Sequence, residues 1–382
     1  MDSLVFSNMF HRPARTIVSV LGIALGVLLI VFTIGLASGS LRDKAKREGN
    51  VGAEIFFRPP GAIGQSGSDS FRLSGSTVAE LKKIEGVNTA VPIGQTSINS
   101  DTGIGSRLID GVNYDEYAQI SGLVIVQGRP FQPNTDEAII DTAYQKEKSL
   151  KVGDKIQLWE RDFTLVGVYE PASGARIKVP LQTIQRAVIG EDSSPSSLNR
   201  VSTIFVQIIK DEKMSEEQIK AKTEQVAANI AKVFPDNQLL KAADMEELYL
   251  NSFPAFEIFR KVIIGVASVI SALVILLTMY TTVTERTRQI GILKSLGMSN
   301  GKIAWTITQE AILISALGIL TGIVLTVIAK LLLMKFSSSQ IELNGPVIIV
   351  TTIVGIVGGA LGALYPAYRA ARLDAVEALS YE

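Results

Sequence analysis

Residues 262–284 read VIIGVASVISALVILLTMYTTVT, without one charged side chain. A helix needs roughly 20 apolar residues, rising about 1.5 Å each, to cross the hydrocarbon core of a bilayer. This run is long enough, and Ile17–Ser38, Ala311–Ala329 and Pro346–Tyr368 match it or nearly so. A soluble protein can bury one such helix in its core, but not four. The first run is too long for the apolar part of a signal peptide, and Arg42, Lys44, Lys46 and Arg47 follow it.

Composition agrees. The 382 residues have a mean hydropathy of +0.29, yet 19% of them are charged. Apolar segments joined to a water-soluble domain satisfy both values. Lys and Arg balance Asp and Glu at 37 each, so no basic footprint for nucleic acid exists. The absence of cysteine excludes disulfides, thiolate zinc sites and a cysteine nucleophile. The single histidine, His11, stands beside Arg12 and excludes a histidine-built metal site or triad within one chain.

The apolar runs carry no Asp, Glu, Lys, Arg or His at their centres. Ion-coupled carriers place such groups at the midplane. Their absence argues against a secondary transporter and against an intramembrane acid–base enzyme, so the driving energy is expected from elsewhere. Small residues recur four apart: Gly22 with Gly26, Gly318 with Gly322, Gly355 with Gly359, and Gly358 with Gly362. That spacing lets helix backbones approach. It fits packing inside one subunit, and it also fits a dimer of two four-helix chains. The basic residues flanking the runs are nearly balanced between the two sides; the termini are placed on the inner side.

The insert from Gly39 to Phe256 reads as α+β. Residues 59–76 are rich in Gly, Ser and Pro and form a loop. Thr77 and Glu80 make a capping-box pattern before Val78, Leu81 and Ile84, and Gly86 ends that helix. Ser215 and Gln218 repeat the pattern before Ile219, Val226, Ile230 and Val233. AEIFF at 53–57 and VSTIFVQII at 201–209 are strand-like; AIID, KIQLW and FTLVGVY lie between, the last two joined at Glu160-Arg161-Asp162 as a hairpin. The expectation is an α+β part interrupted by a β-rich part at about 120–200. Asp110, Asp115, Glu116, Asp136 and Glu137 read as solvated surface, and Phe56, Phe57, Trp159, Phe163 and Tyr169 as core.

The segment ERTRQIGILKSLGMSNGKI, residues 285–303, directly follows the second run. Glu285, Arg286 and Arg288 form a charged entry. Ile290, Leu293 and Leu296 recur at helical spacing, Gly297 can close the helix and Ser299 can cap the next. An apolar stripe on so short a helix predicts a partner's groove.

ERTRQIGILKSLG resembles the ERTREIGI-x-x-ALG signature of ABC-transporter permeases of the MacB/FtsX/lipoprotein-releasing (LolC/LolE) superfamily. PAYRAARLDAVEALSYE, residues 366–382, resembles the ending of the same group, and LGIALG at 21–26 its first span. Departures are Gln289 for Glu, Ala375 for Pro and Ser380 for Arg.

The resemblance implies an α-helical membrane protein with four transmembrane helices and a large extracytoplasmic α+β domain, porter-like with a β-rich insertion. Its expected order is an N-terminal segment 1–15, a span 16–38, the domain 39–256, a span 257–284 and a coupling loop 285–309. A span 310–335, an outer loop 336–345, a span 346–368 and a tail 369–382 follow.

Within the loop, Glu285, Arg286, Arg288, Ile290, Gly291, Ile292, Leu293, Lys294, Leu296 and Gly297 are implied to dock on an ATPase. Pro366, Ala367, Arg369, Ala370, Ala371, Glu377, Ala378, Leu379 and Glu382 carry the C-terminal motif. Further implied partners are a second permease copy, a periplasmic adaptor with an outer-membrane channel, and the lipid bilayer of a bacterial inner membrane, with cytoplasmic termini.

No G-x4-G-K-[ST] phosphate loop occurs. The chain is therefore expected to bind no cofactor and to perform no hydrolysis, with ATP and Mg held by a separate ATPase. The implied function is mechanotransmission in an exporter. The alternative is FtsX-like signalling to an extracytoplasmic partner such as a cell-wall hydrolase.

Overall fold

The computed structural model describes residues 13–61, 71–99, 106–190, 199–211, 213–251, 254–336 and 341–374. The chain divides into two compact units, Met1–Ser40 with Phe253–Glu382, and Leu41–Ser252.

In chain order the elements are α1 (Pro13–Gly49), β1 (Ile55–Arg58), β2 (Leu73–Ser74), α2 (Thr77–Leu81), β3 (Val87–Asn99), β4 (Ser106–Val112), α3 (Tyr114–Ser121) and β5 (Val124–Gly128). Then come β6 (Glu137–Asp141), α4 (Thr142–Lys148), β7 (Lys155–Leu158), β8 (Arg161–Glu170), β9 (Ile177–Pro180), α5 (Leu181–Ile189), β10 (Arg200–Val201) and β11 (Thr203–Ile208). The chain closes with α6 (Glu216–Val233), β12 (Gln238–Lys241), α7 (Met245–Asn251), α8 (Pro254–Glu285), α9 (Thr287–Ser295), α10 (Asn300–Phe336) and α11 (Gly345–Arg372).

Among the described residues four helices are long and apolar enough to cross a membrane: α1 over Thr16–Gly49, α8 over Glu257–Glu285, α10 over Asn300–Met334 and α11 over Gly345–Arg372. Two run well past the borders set by hydropathy. The first span reads as ending at residue 38, yet α1 continues to Gly49. Residues 39–49 lack proline, and Asp43 pairs with Arg47 one turn on at 3.1 Å. The third span reads as starting at 310, yet α10 begins at Asn300. Hydropathy marks where a helix is apolar, not where it ends.

Close approach builds the four-helix unit. A Cβ on Gly22 would meet Val274 at 3.1 Å, and one on Gly26 the Ser271 hydroxyl at 3.3 Å. On Gly322 it would meet Ala24 O at 2.7 Å, and on Gly362 Ala272 O at 2.5 Å. Gly318 faces Ile23, Gly355 faces Ile319, Gly358 faces Ser268 O, and Gly359 faces Ser315 and Ile275. Each of these glycines is thus occupied by a helix of the same chain. The packing is van der Waals contact between backbones that lipid cannot supply.

The second unit is built on one ten-stranded sheet in the order β12-β1-β11-β3-β4-β9-β6-β8-β5, with β7 pairing β8. The β-rich stretch expected at about 120–200 contributes β5 to β9 to this sheet. β3 pairs with β11 along Val87–Ile93 and with β4 along Gly94–Asn99, so one strand carries both parts into a continuous sheet. Phe56 and Phe57, adjacent on β1, enter different cores, because successive side chains of a strand point to opposite faces. Strands covered on both faces read as unbroken apolar runs.

Two local readings are corrected. Thr77 does not cap its helix: Ser76 occupies the N-cap in a helical conformation, without a side-chain cap bond. The hairpin between β7 and β8 turns at Trp159-Glu160, both with positive φ (48° and 62°), and Arg161 already pairs with Leu158. Such a two-residue turn matches strand twist. The Ser215–Gln218 capping box, by contrast, is formed in both directions.

Candidate functional site

Helix α8 breaks at Arg286, whose φ of −107° and ψ of 14° leave the helical region. Its N–H still reaches Thr282 O and Val283 O at 3.2 Å each. The chain re-enters helix as α9 and closes at Gly297, with φ +91°. There Gly297 N donates to Lys294 O at 3.0 Å and Met298 N to Leu293 O at 3.1 Å. This bond pair is a Schellman end, which needs a left-handed residue and so favours glycine.

The two sides of α9 differ. Ile290 and Gly291 are buried, and Ile290 packs with Val283, Ile303 and Ala370. Arg288, Ile292, Ser295 and Leu296, spaced as one helical face, are exposed; Leu296 is 79% exposed. The expected stripe of Ile290, Leu293 and Leu296 is therefore corrected. Ile290 belongs to the interior, Leu293 is half-buried, and the outward apolar pair is Ile292 and Leu296. Glu285, Gln289 and Gly297 are also exposed.

Charges divide the same way. Arg286 Nη1 lies 3.4 Å from Glu310, the two side chains being 13% and 7% exposed. Lys294 Nζ donates to Ala371 O at 3.0 Å and Leu373 O at 2.7 Å. Lys294 thereby satisfies carbonyls at the end of α11 that have no partner within their helix. Sequence reading treats the 285–297 and 366–382 motifs as separate; the fold brings them together. Pro366, Ala367, Ala370 and Ala371 are buried, while Arg369 is exposed and stacks its guanidinium over Tyr280 at 4.9 Å. Glu377, Ala378, Leu379 and Glu382 lie outside the described residues. A cavity of about 320 Å³ opens between α8, α9 and α10, lined by Val283, Arg286, Ile290, Leu293, Met298 and Glu310.

A second cluster sits inside the soluble unit and carries no sequence signal. Lys178 Nζ contacts Asp110 Oδ2 at 3.2 Å, the Tyr117 hydroxyl at 3.1 Å and Ser173 O at 2.7 Å, with both charged side chains fully buried. The reading of Asp110 as solvated surface is thus wrong. Its other oxygen accepts from Gln95 Nε2 at 2.8 Å. Burial works against the Lys178 charge; the oxygens of Tyr117, Tyr169 and Asp110 outweigh it and hold the ammonium above its ordinary range. This anchor shapes the loop that grips the end of α1: Gly174 N donates to Arg47 O at 2.8 Å, and Arg47 Nη1 donates to Gly174 O at 3.0 Å. Asp43 accepts from Arg47 at 3.1 Å and from Arg176 at 3.2 Å. Among the described residues no group of three or more His, Cys, Asp or Glu is placed to hold a metal.

Residues 16–226 match the family model of the MacB-like periplasmic core domain, and residues 261–375 match that of the FtsX-like permease C-terminal region. The chain belongs to the MacB/FtsX-type permeases of ABC transporters. The uncharacterized ABC transporter permease YknZ of Bacillus subtilis is 23% identical over 99% of this chain and 98% of its own length. The macrolide export ATP-binding/permease protein MacB of Bdellovibrio bacteriovorus is 25% identical over 99% of this chain, which spans 61% of that relative. The solved periplasmic region of MacB from Actinobacillus actinomycetemcomitans is 16% identical over 53% of this chain and 95% of its own, with a TM-score of 0.35. The extracellular domain of YknZ aligns at 18% identity over 50% of this chain and 99% of its own, with a TM-score of 0.34. In this MacB/FtsX-type permease the matched C-terminal region contains α9 together with the buried part of the 366–374 segment that holds it.

Proposed function

We propose that this permease works with an ATPase, receives its motion through the exposed face of α9, and relays that motion to the soluble unit. The observation that carries the reading is the division of α9. One face is built into the four-helix unit through Ile290 and Lys294, and the other offers Arg288, Ile292 and Leu296 to solvent. A helix fixed on one side and apolar on the other suits docking into a groove. Helices without a charge at their apolar centres suit levers better than an ion path. The Bdellovibrio relative, whose name joins ATP binding to a permease, supports a nucleotide-driven partner. In this reading α9 and both termini face the cytoplasm and the soluble unit lies outside, where it exports or extracts a substrate. A second copy of the permease, an adaptor and an outer-membrane channel belong to the same proposal.

The test uses Arg288→Glu with Leu296→Asp, both exposed in the free chain. Loss of co-purification with the ATPase, with an unchanged melting curve of the permease, is the expected result. Undiminished co-purification and export would remove α9 as the docking element.

A further inference from the structure

The soluble unit contains a cavity of about 570 Å³, within the size range of ligand pockets. It lies between β3, α3 and α5. Its walls carry the carboxamides of Asn113, Asn134, Gln182, Gln185 and Asn199. Gln185 is only 5% exposed; its Nε2 donates to Arg200 O at 2.8 Å, and its carbonyl oxygen is left without a partner among the described residues. The side chains of Asn134, Gln182 and Arg186 make no hydrogen bond or ion pair with another described residue. The floor is aliphatic, from Val78, Leu181 and Val201.

The lining selects by chemistry. Among the described residues that line it, Glu116 and Arg186 carry charge, and they are opposite in sign. One guanidinium is too little for a nucleotide or polyphosphate, and one carboxylate too little for a divalent cation. Walls dominated by amides disfavour a largely apolar molecule, which would leave their donors and acceptors unpaired. A carboxamide presents donor and acceptor side by side, as a sugar presents vicinal hydroxyls. Of the two strand residues in the lining, Pro92 has no N–H to offer an added strand, and Val201 lies on β10, already paired with β2.

We propose that this cleft binds a neutral glycan segment, held by the amides and Arg186 over the aliphatic floor. No aromatic ring is among the described residues that line it, so affinity for a short fragment is expected near about 1 mM. The proposal rests on the soluble unit alone and does not depend on coupling to an ATPase.

The test is saturation-transfer NMR on the full chain in phospholipid nanodiscs free of glycoside detergents, without nucleotide. Chitotriose, maltotriose and tri-alanine serve as probes. At least one trisaccharide should bind saturably, and Gln182→Ala with Arg186→Ala should weaken it about tenfold. Both side chains are exposed, so the fold is retained. The proposal falls if neither trisaccharide saturates, if the double variant binds equally well, or if tri-alanine occupies the cleft instead.

Discussion

Lys294 Nζ lies 3.0 Å from Ala371 O and 2.7 Å from Leu373 O, so the side chain of α9 closes the end of α11. A cation there meets both the orphan carbonyls and the negative end of the helix dipole. This contact makes α11, and not only the flanking α8 and α10, a receiver of any displacement of α9.

Lys294→Met keeps the aliphatic stem and removes both bonds. Hydrogen bonds to a charged donor contribute about 1.5–3 kcal/mol. The expected outcome is retained ATPase co-purification with ATP-dependent export reduced about tenfold. Lys294→Arg should restore part of it. Export equal to the parent protein would show that α11 does not need the latch.

Gly359→Val and Gly265→Val form a matched pair on the apolar helices. A Cβ at Gly359 meets the Ser315 hydroxyl and, at 2.9 Å, Ile275 Cδ1, whereas one at Gly265 meets nothing within 4 Å. Overpacking costs about 1–3 kcal/mol. Thermal unfolding in detergent should show a clear loss for the first variant and almost none for the second. Equal melting would contradict the helix packing described above.

Lys178→Met strands the Asp110 carboxylate in the core, and breaking a buried pair costs about 3–5 kcal/mol. Pairing it with Asp110→Leu removes the uncompensated charge. The double variant should therefore be more stable than the single one. Proteolysis of the soluble unit reads the difference.

Asp141 caps α4 by accepting from Tyr144 N at 2.6 Å, but its Oδ2 is buried without a hydrogen bond. Burial pushes its carboxyl above the ordinary range, against the opposing Tyr144 N–H and Arg176. A carboxyl whose folded pKa is raised binds more protons folded than unfolded, so its contribution falls as pH rises through that window. Asp141→Asn keeps a capping oxygen and removes the charge. It should raise the unfolding midpoint by about 2–4 °C at pH 7, with the gain vanishing at acid pH. A lower midpoint at pH 7 would mean that the Arg176 contact outweighs desolvation.

The membrane helices were legible because lipid leaves an unambiguous mark: a run of bilayer length, mostly apolar and without one charged side chain. The α9 segment was legible as a helix from its spacing and from Gly297. Its orientation was not. Ile290, Ile292, Leu293 and Leu296 are all apolar, so periodicity alone could not say which of them faces Ala370. Arg286 and Arg288 are equivalent in sequence; only the position of Glu310 turns one inward and leaves the other exposed.

By itself the sequence determined the number and identity of the bilayer-length helices, the α+β character of the insert and the two motifs of the permease family. These depend on composition and on neighbours within a few residues. The tertiary structure alone decided that Lys294 meets Ala371, that Asp110 is buried on Lys178, and that five carboxamides line one cavity. Those pairings join residues far apart in the chain, and a charge or an amide has the same local pattern whether the fold buries it or leaves it in water.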